Sequence, residues 1–171
     1  MNIYIDCGAF IGDTVDCEMY FDFKADYKIA FEANEKLIPY LNKKEFDEVH
    51  NKVVWIREEL ISFYQDQSKL PLGSTVKKSK TTGILKEIKV EAIDFSDFID
   101  LYKEDNVLVK MDIEGAEFDV LEKMIEDNTI IGVDRLYVEF HPNKVPEYTT
   151  TYKNELIDRI KSLNVDIKEW H

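Results

Sequence analysis

Long apolar runs are missing from this chain. None approaches the ~20 residues that a helix needs to cross a bilayer, so no membrane span is expected. The start lacks the marks of a signal peptide, because "MNIYID" has no basic residue and meets an acid at Asp6. A cytoplasmic protein is the expectation. Cysteine is scarce as well, with Cys7 and Cys17 the only two. No His–Cys cluster stands at ligand spacing, so zinc is not expected and both read as reduced, buried or half-buried thiols. Positive charge is also short. The 22 basic residues face 35 acidic ones, for a formal charge of -13. Such a chain repels polyphosphates, which argues against DNA or RNA as a partner. The one notable basic run, "KKSK" at 77–80, reads as a solvated loop. No repeat or linker breaks the sequence, and 171 residues suit one domain over 1–171.

What is present is an alternation of strand and helix signals. "NIYID" (2–6) reads as a buried strand, and "GDTVDCEMYFDF" as the start of a helix with Thr14, Val15 and Met19 near helical spacing. "YKIAFEAN" (27–34) reads as a second strand ending in an acid, followed by a helix with Pro39 either near its start or marking a bend. "KVVWI" (52–56) is the expected third strand, and "ELISFYQ" (59–65) a further short β segment. "EIKVEAIDFSDFID" reads as strand then helix, "NVLVKMDIEGAEFDVLEKMI" as a buried strand entering a helix, and "RLYVEFH" (135–141) as a strand. "TYKNELIDRIKSLN" (151–164) lines Leu156, Ile157, Ile160 and Leu163 along one face, and "VDIKEW" reads as a last strand. This order predicts an α/β fold with a mostly parallel sheet and crossover helices. Residues 66–83 lack periodicity. They read either as a lid over a substrate, with Ser74 and Thr75 hydrogen-bonding it, or as a disordered surface loop.

Open α/β sheets bind ligands beyond the carboxyl ends of their strands. The first such loop is Gly8-Ala9-Phe10-Ile11-Gly12-Asp13. It lacks the middle glycine of GxGxxG, and Asp13 puts negative charge where a pyrophosphate would sit. With Asp6 before it, the loop suits a cationic or neutral ligand such as S-adenosylmethionine. Glu32 ends the second strand 20 residues beyond Gly12, where an acid can accept hydrogen bonds from ribose hydroxyls. The second loop, "VKMDIEGAEFDVL", carries Asp112, Glu114 and Glu117 around Gly115. Helix capping accounts for Glu117. It does not account for Asp112 at the end of a buried strand, where an unpaired carboxylate is costly.

"IDCGAFIGDT", "FEAN", "VKMDIEGAEFDVLEKM" and "LYVEFH" together resemble the FkbM family of S-adenosylmethionine-dependent methyltransferases, as do "PLGST" (71–75) and "VEAIDFSDFI" (90–99). The resemblance spans nearly the whole chain and is most specific at "DIEGAE". It implies a Rossmann-like class I methyltransferase fold, with helices on both faces of a mostly parallel sheet, and O-methylation of a sugar, glycan or natural-product hydroxyl. Asp6, Gly8, Ala9, Phe10, Gly12 and Asp13 match its cofactor loop, Glu32 and Ala33 its ribose acid and neighbour, and Asp112 with Glu114 its fourth-strand motif. Against that pattern the chain looks shortened at the N-terminus, since the first strand begins at about residue 2. A large acceptor or a partner chain would then cover the acceptor site. The segment "IREELISFY" is short for the family, and Ile56 and Arg57 are the candidates for adenine contacts.

Methyl transfer from a sulfonium is an in-line displacement that gains from alignment and from a general base. His141 is the best-placed base and Asp112 its rival, with Glu139 alternating with His141 on one strand. Asp112, Glu114, Glu139 and His141 also leave open a divalent cation such as magnesium, though no spacing demands a metal. His50 and His171 have no expected role. The rival functions are a nicotinamide-dependent oxidoreductase, a non-catalytic module that keeps the fold, and a nucleic-acid methyltransferase disfavoured by charge.

Overall fold

The computed structural model describes residues 1–67, 74–77, 85–142, 144 and 146–170. In chain order the strands are β1 (Asn2–Cys7), β2 (Tyr27–Phe31), β3 (Glu48–His50), β4 (Val53–Asp66), β5 (Leu85–Asp94), β6 (Asn106–Met111), β7 (Arg135–Val138) and β8 (Asp166–Glu169). The helices are α1 (Cys17–Phe21), α2 (Ile38–Leu41), α3 (Phe95–Asp100), α4 (Glu117–Glu126) and α5 (Thr150–Ser162). Six strands form one sheet in the order β3-β2-β1-β6-β7-β8. Every pairing in it is parallel. β4 and β5 stand apart as an antiparallel hairpin.

The sequence of each central strand explains its place. β1 and β6 are buried along their length after the first residue, as strands covered on both faces must be. Their side chains alternate between two cores. Ile3, Ile5 and Cys7 pack with residues of α3, α4 and α5, while Tyr4 and Leu108 pack with Cys17 and Phe21 of α1. Ala30 of β2 meets Leu41 of α2. Helices therefore cover both faces, the architecture of a Rossmann-like α/β fold. Cys7 pairs with Phe31 on one side and Met111 on the other, so the loops after β1, β2 and β6 leave the sheet at one edge.

The helix starts follow side-chain chemistry. Asp94 accepts from the N–H groups of Ser96 and Asp97 to start α3, and Thr149 accepts from that of Tyr152 to start α5. Leu156, Ile157 and Ile160 are the buried residues of α5, as its periodicity predicts. Phe118 of α4 is fully buried and stacks on Tyr148 with ring centroids 4.4 Å apart. It also meets Phe140 at 5.4 Å and Tyr152 at 6.0 Å, so one ring fastens the segment after β7 to the core.

Several expectations need correction. The third sheet strand is Glu48–His50, not 52–56. "VVWI" has the stronger apolar pattern, but it opens the 14-residue β4, which continues through "ELISFYQ" with register shifts between Val53 and Glu59. A three-residue edge strand of intermediate burial carries little periodicity to read. The helix expected from Gly12 starts at Cys17, because Phe10 and Gly12 adopt positive φ (51 and 77) and keep 8–14 in turns. Met19 is exposed, not on an apolar face. The last strand is as expected, with β8 parallel to β7. Of the 66–83 stretch only 66–67 and 74–77 are described, and His171 also lies outside the described residues. Thr75 exchanges two backbone hydrogen bonds with Tyr64 (2.8 and 3.1 Å). Lys77 is not solvated: it pairs with Asp119 at 2.8 Å and lies over the rings of Trp55 and Tyr148. Cys7 and Cys17 are buried free thiols. No helix among the described residues is long and apolar enough to cross a membrane.

Phe118→Ala should cost about 3–5 kcal/mol of unfolding free energy. Urea denaturation checks this, and a loss below about 1 kcal/mol would show that the aromatic cluster does not organise this face.

Candidate functional site

Two loops meet at the centre of the sheet edge. Gly8 follows β1 with φ 80, and a Cβ there would lie 1.9 Å from the carbonyl oxygen of Asp112. Only glycine fits both the backbone and the contact. The N–H of Asp112 returns to the Cys7 carbonyl at 2.9 Å, which keeps the two loops in register. On the other side the N–H groups of Gly8 and Ala9 both donate to the Phe31 carbonyl at 3.0 Å. Phe10 donates its N–H to Glu32 Oε2 at 2.9 Å, Asn34 donates to Glu32 Oε1 at 2.8 Å, and Gly12 donates to the Ala9 carbonyl at 2.7 Å. Asp6 is fully buried beside the loop. Its Oδ2 accepts from the Thr14 hydroxyl at 2.6 Å, and Lys110 Nζ stands 3.3 Å from its Oδ1.

The loop after β6 is held by Glu117, which is fully buried at the start of α4. Glu117 accepts from the N–H of Ile113 (3.2 Å) and of Gly115 (2.9 Å to one oxygen), and from His141 Nδ1 (2.8 Å). The positive φ of Glu114 and Gly115 (58 and 103) turns the chain around that carboxylate. His141 Nε2 faces three more acids: Glu114 at 3.7 Å, and Asp112 and Glu139 at 3.9 Å. Lys144 forms an ion pair with Glu114. Thr75 donates its hydroxyl to the Glu114 carbonyl at 2.7 Å, so it supports the loop instead of facing a substrate.

A cavity of about 390 Å³ opens between these loops. Gly8, Ala9, Phe10, Asp13, Glu32 and Ala33 line one part of it, and Asp112, Glu114 and Glu139 another. Of the sequence candidates, Asp6 and Gly12 shape the first loop but are not on the wall, and neither is His141. Ile56 and Arg57 are not brought to it. Ile56 packs against the core and Arg57 is exposed, bonded to Glu59 at 2.9 Å, because β4 turns outward into its hairpin there. Val53 and Val54 take the wall instead, with Leu37 and Phe63. Ser74, a sequence candidate, is on the wall, and sequence reasoning missed Lys110, Thr14 and Trp170, which also line the cavity. Lys110 carried a signal, a lone cation inside an apolar strand. Trp170, placed by packing against Tyr20 and Phe21, carried none.

Burial dominates the titration of these acids. It pushes Glu32 up to about 7 against the backbone N–H groups of Asn34 and Phe10 that favour its charge. It pushes Asp112 up to about 6, with Lys110 opposing and Glu139 reinforcing. For Lys110, burial lowers the pKa but Asp6 and Asp112 outweigh it, and the net shift is upward. For His141, burial lowers the pKa and Glu117 with Glu114 outweighs it, so the imidazole holds its proton above its ordinary range. Asp112, Glu114 and His141 bring ligand atoms within 4.8 Å of one another. The Lys144 ammonium already meets Glu114 there, and an imidazole is a poor partner for magnesium.

A family model described as the Methyltransferase FkbM domain matches residues 6–165. No curated protein and no solved structure matches the chain.

An NMR carboxyl titration should place the Asp112 midpoint at about 6. Glu139→Gln should move that midpoint down, since it removes a charge that opposes ionisation. A midpoint in the ordinary carboxylate range would refute the electrostatic description. Gly8→Ala should destabilise the protein by more than about 3 kcal/mol, read by thermal or urea unfolding.

Proposed function

We propose that this chain, which belongs to the FkbM methyltransferase family, is a single-domain S-adenosylmethionine-dependent O-methyltransferase acting on a sugar, glycan or natural-product hydroxyl. The observation that carries the choice of cofactor is the fate of the loop's backbone donors. The N–H groups of Gly8, Ala9, Phe10 and Gly12 are all bonded within the protein. A pyrophosphate needs such groups free at the start of a long helix, whereas here α1 is five residues long and starts at Cys17. That disfavours a nicotinamide cofactor.

The donor set fits S-adenosylmethionine. Each oxygen of Glu32 holds one backbone N–H, which leaves lone pairs for two ribose hydroxyls. Leu37, Val53 and Val54 add apolar wall to the same cavity, suited to a base. Asp112, Glu114 and Glu139 add negative charge suited to a cationic group. The cofactor would supply an electrophilic methyl on its sulfonium.

The chain's own residues then have to orient the acceptor hydroxyl and take its proton. Asp112 is the proposed base. It lines the cavity and its pKa is about 6, so it is ionised at neutral pH yet basic for a carboxylate. His141 is better suited to hold position. Glu117 fixes its Nδ1, it is off the cavity wall, and the acids around it favour its protonated form, whose charge would steady Asp112, Glu114 and Glu139. Glu139 lines the cavity near Asp112 and is placed to accept from a second hydroxyl of a polyol. The acceptor side is where a partner chain or a large acceptor would complete the site.

S-adenosylhomocysteine should raise the melting temperature and NAD should not; the reverse result rejects the reading. With an acceptor in hand, Asp112→Asn should lower kcat by about 10²–10⁴-fold. The rate should rise with pH through about 6, as Asp112 loses its proton. An acid limb lying above the ordinary histidine range would assign the base to His141 instead.

A further inference from the structure

Lys110 stands where β6 should exclude charge. Val107, Leu108, Val109 and Met111 are all fully buried, and Lys110 itself is only 5% exposed. Burying an ammonium costs several kcal/mol (order of magnitude) unless it is paired and hydrogen-bonded, and an apolar residue would fill the strand without that cost. The ammonium meets Gly8 and Asp6. It donates to the Gly8 carbonyl at 3.0 Å and lies 3.3 Å from Asp6 Oδ1. The other oxygen of Asp6 holds the Thr14 hydroxyl. One side chain of β6 thus reaches both ends of the 8–14 loop, Gly8 directly and Thr14 through Asp6. The end of β2 holds the same loop from the opposite side, through Phe31 and the following Glu32. Neutralising Asp6 would need only a nearby cation. The bond to the Gly8 carbonyl goes beyond that need, at the residue whose close approach to Asp112 joins the two loops.

We propose that Lys110 is a positioning residue for the 8–14 loop, clamping the Gly8 carbonyl and the Asp6–Thr14 pair so that the loop keeps its shape at the cavity. This role is separate from the stability that the Lys110–Asp6 ion pair gives the fold. It rests on the reading of this loop as the one that holds S-adenosylmethionine.

The test compares the wild type with Lys110→Met, Lys110→Arg and the double variant Asp6→Asn/Lys110→Met. The readouts are the melting temperature, amide hydrogen exchange and calorimetric binding of S-adenosylhomocysteine. Lys110→Met alone should melt lower, because it leaves Asp6 without its cation. The double variant removes both charges and should regain most of that loss. In it, amides of residues 8–14 should still exchange at least about tenfold faster than in the wild type, with those of β6 and α4 unchanged. S-adenosylhomocysteine should bind it at least about tenfold more weakly, or about 1.4 kcal/mol. A double variant with wild-type loop exchange would overturn the proposal and reduce Lys110 to a charge partner. Lys110→Arg keeps the charge but not the shape. It should keep the melting temperature while loosening the loop, and it supplies the same exchange readout if the double variant does not fold. A wild type that fails to bind S-adenosylhomocysteine rejects the cofactor reading alone, because loop exchange still decides the clamp.

Discussion

Gly8 sits against the backbone of Asp112 with no room for a side chain, at the point where two neighbouring parallel strands end together. That contact requires glycine at one position and a strand partner ending in register at the other. Once it is made, the loops after β1 and β6 form one surface. Glu32 and the Phe31 carbonyl tie in the end of β2, and Glu117 folds the second loop back toward α4. The cavity is the space that these bonds leave open. Its polar side is thus set by backbone groups and short side-chain bonds, while Leu37, Val53, Val54 and Phe63 supply apolar wall.

The same constraint gathers acid. Asp6, Glu32 and Glu117 are buried, and Asp112, Glu114 and Glu139 are partly so, in a chain of formal charge -13. Carboxylates in this density survive only if each has a donor or a proton. The protein uses three routes. Backbone N–H groups satisfy Glu32 and Glu117. Lys110 and Lys144 supply positive charge, and the acids around His141 favour its protonated form. Asp112 and Glu32 also hold their protons more tightly than ordinary carboxylates. A site so rich in acid, in which the N–H groups of Gly8, Ala9, Phe10 and Gly12 are already bonded, suits a cationic reactant better than a phosphate. The physical case for a sulfonium cofactor in this methyltransferase rests there.

The β4–β5 hairpin shows where local pattern and tertiary role part. Its apolar opening reads as a sheet strand, and the sheet uses the plainer "EVH" instead. What β4 contributes is one end, Val53 and Val54 on the cavity wall, while Ile56 and Arg57 have already turned away. Segment 74–77 then docks back onto Tyr64, Asp119 and the Glu114 carbonyl. The chain thereby supports the second loop from a region that has no periodicity to read.

Much of this protein was determined by its sequence alone. The alternation of buried strands and helices, the glycines at the two loops, and acids at Asp6, Glu32 and Asp112 specified the architecture and the edge of the sheet where the cavity lies. Each is a local requirement: a strand buried on both faces must be apolar, and a positive-φ turn in close contact must be glycine. The family resemblance was legible in the same stretches. What only the tertiary structure decided is pairing over long separations. Lys110 meets Gly8 across 102 positions, Glu117 takes His141 as well as its own loop, and Trp170 reaches the cavity from just beyond β8. A side chain's partner, and hence its pKa and role, depends on which surfaces fold together. No spacing along the chain encodes that, and for this reason the proposal gives the base role to Asp112 and a positioning role to His141.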